Sequence, residues 1–291
     1  MQSDSYRGLP LTYTDAEVFY LARLNKATEG CVWNCNPYIV DQKSDYPFFE
    51  PSLSVPLLAA PAKFLHVSVV DLKLVYDFLL PAILTLLIYS FLFRLTGGRY
   101  WSVMGSLLIL LSFNLINSQI LVHLENLWNL TKLHPTTELT FLKYARPINP
   151  QFSSIVLFLY FHVLLTCCRN AKWYWYALLG LIYGFSFYVY FYDYTFITVL
   201  SGVCITLFLL LQKYKVALSL TLASVGGLVL GLPALTTIFQ MMRHPYFPYL
   251  KGTDGNIVYT HAPNITVIGI LLAISFACIA AIYVQKKRAV T

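Results

Sequence analysis

Seven long apolar runs divide this chain, and their length decides what it can fold into. They cover residues 74–93, 101–118, 151–168, 173–192, 194–212, 216–234 and 264–284, each 18 to 21 residues long. A helix rises about 1.5 Å per residue, so ~20 apolar residues cross the ~30 Å hydrocarbon core of a bilayer. Inside lipid the backbone must satisfy its own hydrogen bonds, which leaves helices or a closed barrel. The runs lack strict in–out alternation, which excludes the barrel. The expected fold is therefore all-α, a polytopic transmembrane helix bundle of about seven spans. Composition agrees: 58% of residues are hydrophobic and only 11% charged, against roughly 25% charged in soluble domains.

The charges then sort by side. All but two of the thirteen acids lie in the polar stretches 1–73, 119–150 and 235–263. Asp77 stands just inside the first run, and Asp193 follows an aromatic run that emerges on the same side. The four connectors on the other side hold Arg94 and Arg99, Arg169 and Lys172, Lys213 and Lys215, and Lys286, Lys287 and Arg288, with no acid among them. Cytoplasmic loops carry such a lysine and arginine excess. The expected topology puts the N-terminus outside and the C-terminus in the cytoplasm, in a bacterial inner (plasma) membrane. The net charge of +7 calls for no nucleic-acid partner, since nine of the twenty cations already serve topology.

This division gives an extracytoplasmic segment, 1–73, with membrane-surface helices, and a transmembrane bundle, 74–291, with outer loops 119–150 and 235–263. In the segment, Thr14-Asp15-Ala16-Glu17 has the form of a capping box, in which Thr14 caps and Glu17 reaches back. Val18, Leu21, Ala22 and Leu24 follow at helical spacing and Gly30 terminates, predicting a helix over about 15–29. A second, short interfacial helix is predicted between Leu53 and Leu65. The run 173–192 opens on Trp173, Tyr174, Trp175 and Tyr176 and closes on Tyr188, Tyr190, Phe191 and Tyr192, as aromatic belts at two interfaces would. Gly180 with Gly184, and Gly227 with Gly231, are spaced for close helix approach. Asn129-Leu130-Thr131 is a glycosylation sequon, and Cys31 and Cys35 either pair or stand as separate thiols.

Three constellations could carry chemistry on the outer face. Asp15 and Glu17 read either as helix-capping acids favoured by the dipole or as carboxylates held for general-base work on a hydroxyl. Arg146, with Asn149 and Gln151, stands at the mouth of the third run. Its guanidinium either clamps a phosphate or snorkels at the interface. Arg243 is a rival phosphate partner. Asp193 lies among Tyr190, Tyr192 and Tyr194, a setting for a sugar ring or a cation, or a turn between two helices. His162, mid-run, reads as a buried hydrogen-bonded histidine. No Cys/His spacing reads as a zinc site.

The run Gly8-Leu9-Pro10, Tyr13-Thr14-Asp15-Ala16-Glu17, Tyr20-Leu21-Ala22-Arg23-Leu24, Glu29-Gly30, with Asn36-Pro37-Tyr38 beyond it, resembles the first outer loop of C-type (GT-C) membrane glycosyltransferases. Arg146-Pro147-Ile148-Asn149-Pro150-Gln151-Phe152 and Tyr190-Phe191-Tyr192-Asp193-Tyr194-Thr195 extend the resemblance to bacterial members. The resemblance implies transfer of a sugar from a polyprenyl-phosphate carrier to a lipid or glycan acceptor on the extracytoplasmic face, in contact with membrane lipids. It makes Asp15, with Glu17 second, the expected catalytic acid. It makes Arg146, Asn149, Gln151, Tyr192, Asp193 and Arg243 substrate-binding. A divalent cation is compatible with it, and no cofactor is assigned. The family's first crossing would precede Met1, so the chain is expected to be an N-terminally truncated member. A transporter or flippase is the first alternative, opposed by the lack of charge in the middle of any run. A non-catalytic assembly protein is the second.

Overall fold

The computed structural model describes residues 15–30, 53–116, 151–170 and 172–243. Among these the chain is helical, without strands. Helix α1 covers Asp15–Thr28 and α2 covers Ser54–Leu65, close to the two helices expected in the N-terminal segment. Gly30 closes α1 at φ 103°, where glycine alone is unstrained. Pro56 sits in the first turn of α2, where no amide is needed, and His66 at φ 55° stops the helix by donating its amide to Ala62 O.

Helix α3, Val69–Thr96, starts on a side-chain cap: Ser68 Oγ accepts from the Asp71 amide at 3.0 Å. Its 28 residues make it about 42 Å long, and Gly97 at φ 70° turns the chain into α4, Arg99–Ile116. Helix α5 covers Ser153–Arg169, α6 Trp173–Ser186, α7 Phe191–Leu210 and α8 Tyr214–Met242. Helices α3, α7 and α8 are long and apolar enough to cross a membrane. Only 17% to 22% of their most apolar windows is buried in the fold. Phe78 is 79% exposed, and Leu86, Val199, Leu222 and Phe239 project outward with it. Contiguous apolar surface on this scale marks a medium other than water.

Two buried clusters hold the helices together. One joins Leu24 and Ala27 of α1, Val55, Leu58 and Ala59 of α2, Leu72, Tyr76, Leu80, Leu84 and Ile88 of α3, and Ile155 and Phe158 of α5. Tyr76 seals it by donating its hydroxyl to Leu58 O at 2.8 Å. The other joins Tyr160, Val163 and Cys167 of α5 to Tyr176, Leu179 and Tyr183 of α6, Ile197 of α7 and Leu220 and Ala223 of α8. The α6–α8 seam uses the glycine spacing read from the sequence. A Cβ on Gly180 would meet Ala223 O at 2.7 Å, and one on Gly184 would meet Leu230 Cβ at 2.6 Å. Backbones this close require glycine.

The bundle has two chemically distinct ends. The C-termini of α3 and α5 meet, with Arg169 Nη2 donating to Arg94 O at 2.5 Å. That end carries the cationic connectors that lie among the described residues, those of Arg94 and Arg99, Arg169 and Lys172, and Lys213 and Lys215. The opposite end carries α1, α2, Asp71, the Lys73–Asp77 pair and Asp193. His162 is a packed, hydrogen-bonded residue, as expected from sequence. Arg94 Nη1 faces its Nδ1 at 3.2 Å, and its Nε2 lies 2.9 Å from Leu87 O and 3.0 Å from Ser90 Oγ. An arginine can only donate, so the ring proton belongs on Nε2.

One expected span needs correction. The run 173–192 is not a single helix. Helix α6 ends at Ser186, and a link, 187–190, separates it from α7. Fourteen residues rise about 21 Å, short of the ~30 Å hydrocarbon core. Tyr188 and Tyr190 therefore lie in the link, and Asp193 opens the next helix rather than closing the previous one. The run 264–284 lies outside the described residues.

Candidate functional site at the acidic end of the bundle

The break between α6 and α7 is built by packing. The Phe187 ring stacks on Tyr194 with centroids 4.4 Å apart and occupies the space where Gly231 of α8 has no side chain. Tyr188 donates its hydroxyl to Leu230 O at 2.9 Å, and its own carbonyl accepts the Leu53 amide at 2.7 Å. The link is thus held by α8 on one side and by the start of α2 on the other. The amides of Val189 and Tyr190 both fold back on Ser186 O, at 3.1 and 3.3 Å. That closes α6 and lets Tyr190, extended at φ −157°, start α7.

Asp193 is the third residue of α7, in the turn where unsatisfied amides favour an acid. It is only 7% exposed. The Ser153 hydroxyl of α5 hydrogen-bonds its carboxylate. Oδ2 is buried with no hydrogen-bond partner. Ser153 and Gln151, at the opening of α5, are themselves buried, Gln151 completely. Two helix starts therefore converge on one carboxylate. In the residues just before it in the chain, the Tyr190 and Tyr192 rings pack edge-on with centroids 5.1 Å apart, and Phe191 meets Tyr192 at 5.6 Å. An acceptor oxygen with spare capacity is suited to a ligand that brings its own donor: a hydroxyl, an ammonium or a metal-bound water.

Of the residues singled out from sequence, Tyr192 and Asp193 share the first turn of α7, and Gln151 lies two residues before Ser153, the hydroxyl that bonds Asp193. Asp15 and Glu17 lie in the first turn of α1, a helix packed at the same end through Leu24 and Ala27; their side chains lie outside the described residues. Arg146 and Asn149 lie outside the described residues altogether. Arg243 is exposed just beyond α8, at the same end, its amide bonded to Gln240 O at 3.2 Å. Comparison with family models, curated proteins and solved structures finds no match.

Sequence reasoning overlooked Ser153 and the pair Lys73–Asp77. Lys73 is 3% exposed and holds Asp77 Oδ2 at 2.7 Å, one turn along α3, while Asp77 Oδ1 is buried without a partner. Both had a signal. Lys73 and Asp77 are four residues apart, on one helical face. Ser153-Ser154 places two hydroxyls where an apolar run begins. Among the described residues no cluster of three or more His, Cys, Asp or Glu is arranged to hold a metal.

Proposed function

We propose that this chain is a membrane-embedded transferase of the GT-C glycosyltransferase type. It moves a sugar from a polyprenyl-phosphate carrier to a lipid or glycan acceptor at the acidic end of the bundle. That end faces outward, the cationic end faces the cytoplasm, α1 and α2 lie at the outer interface, and about seven segments cross, one of them α6 completed by its link 187–190. The observation that carries this reading is the buried Asp193 carboxylate, hydrogen-bonded by Ser153 and with its other oxygen unpartnered, in the tyrosine-rich first turn of α7. Carbohydrate offers hydroxyl donors for such an oxygen and a face for such rings. Asp15, at the start of α1, is the proposed general base, with Glu17 beside it. Arg146, Asn149 and Arg243 are the proposed contacts of the phosphate.

The test is transfer of labelled sugar from a polyprenyl-phosphate donor by reconstituted protein. Asp15→Asn and Asp193→Asn should each insert normally and lose at least ~100-fold of the rate, the scale of a positioned acid–base group. Unchanged transfer in both variants rejects the assignment.

One observation favours a second reading. A buried acid facing the interior of a bundle of membrane helices is also how transporters and flippases line a substrate or ion path. Labelled substrate accumulating unaltered across vesicles, with no transfer product, would favour it.

A further inference from the structure

The cationic end of the bundle carries charge that nothing described in the fold balances. Arg94, Arg99, Arg169, Lys172, Lys213 and Lys215 sit there, and among the described residues none pairs with a carboxylate. The two arginines that bridge helices use uncharged partners. Arg94 donates to Thr166 Oγ1 at 2.8 Å as well as to His162, and Arg169 donates to Arg94 O. Those bonds fix the guanidinium groups and leave their charge uncompensated.

Around these cations lies a ring of exposed aromatics at the helix starts. Tyr100 is 88% exposed, and Trp101, Trp173, Tyr174 and Tyr214 project with it. Lys172 Nζ lies 5.8 Å from the Tyr174 ring centre, and Lys213 Nζ 6.0 Å from that of Phe208, so the ammonium groups stand at the aromatic level. The first turn of α6, opening at Lys172, holds no acid and receives no side-chain cap. Amphipathic rings take the headgroup level of a bilayer. Fixed cations at that level call for anions at that level.

We infer that this end is a docking surface for anionic phospholipid headgroups, with phosphate held around Arg169, Lys172 and Lys213. The rings set the depth and the cations select the headgroup. A phosphodiester satisfies both guanidinium and ammonium donors, and a clustered basic surface beside spanning helices is the form such recognition takes. This inference is independent of the sugar-transfer reading.

The experiment uses the full chain in mild detergent, with equal amounts of phosphatidylglycerol and phosphatidylcholine added and the retained lipid counted by native mass spectrometry. Phosphatidylglycerol should be retained in several-fold excess. The excess should collapse in the double variant Lys172→Gln/Lys213→Gln, whose two side chains are exposed and donate no hydrogen bond to the described fold. Equal retention of the two lipids overturns the inference, as does an excess that survives in the variant. Displacement of the lipid by a poly-glutamate peptide at equal charge also overturns it, and makes the surface a protein-docking one.

Discussion

Asp193 works against the stability of the fold that buries it. A buried acceptor left without a donor costs about 1–3 kcal/mol, more when charged, and Oδ2 is such an acceptor. Asp193→Asn keeps the shape and removes the charge. It is expected to raise the melting temperature in detergent by a few degrees, at about 2–4 °C per kcal/mol for a chain of this size, while transfer falls. Calorimetry checks the first half; a melting temperature that drops shows Asp193 to be structural. The Arg94–His162 contact makes the opposite case. His162→Leu leaves Arg94 Nη1 without its ring acceptor, so the single variants should each destabilise and the Arg94→Leu/His162→Leu double variant should lose less than their sum. A coupling of about 0.5–3 kcal/mol from denaturation of the four proteins is the expected result. His162 reads from sequence as a hydrogen-bonded core histidine because a lone imidazole in an apolar run needs a partner. Its partner lies 68 residues away, and no local pattern could name it.

At the scale of the element, the α6–α8 seam explains both the packing and the break. Gly231→Ala puts a methyl where the Phe187 ring lies, and Gly184→Ala puts one 2.6 Å from Leu230 Cβ. Each should cost about 1–3 kcal/mol through forced repacking. Gly231→Ala should also displace the link that precedes Asp193. Gly202→Ala and Gly226→Ala, with nothing within 4 Å of the added methyl, should be neutral or gain up to about 1 kcal/mol from helix propensity. Thermal melts of the four variants check the contrast. Helix α1 was legible because its apolar residues recur at helical spacing and Gly30 closes it. Helix α2 was legible because Pro56, the one obstacle to a helix between Leu53 and Leu65, falls in its first turn, where no amide is needed. The capping pattern Thr14-Asp15-Ala16-Glu17 involves side chains outside the described residues. The break at 187–190 was not. Phe187-Tyr188-Val189-Tyr190 contains no glycine, proline or charge. The helix stops because Phe187 fits over Gly231 and Tyr188 is bonded by α2 and α8, and those partners are remote in the chain.

For the whole molecule, polar and apolar surfaces are arranged for a bilayer. Leu84, Ile88 and Ile197 are sealed inside, while Phe78, Val199 and Leu210 face out. The proposed sidedness predicts the outcome of cysteine labelling in intact cells. With the native cysteines replaced, a cysteine at Lys213 or Lys172 should react with a membrane-impermeant maleimide only after permeabilisation. One at exposed Asp71 or Lys63 should react from outside. The reverse pattern moves the candidate site to the cytoplasm and rejects a polyprenyl-linked donor on the outer face.

Run length and charge placement were enough to determine an all-helical bundle with cations at one end and acids at the other, because both follow from the cost of putting backbone and charge into hydrocarbon. That cost depends on each segment alone. The meeting of Asp193 with Ser153, the shortness of α6 and the Arg94–His162 contact were decided only in three dimensions. Each depends on which helix faces which, and that choice is made by the fit of glycine to ring and of donor to acceptor between segments far apart in the chain.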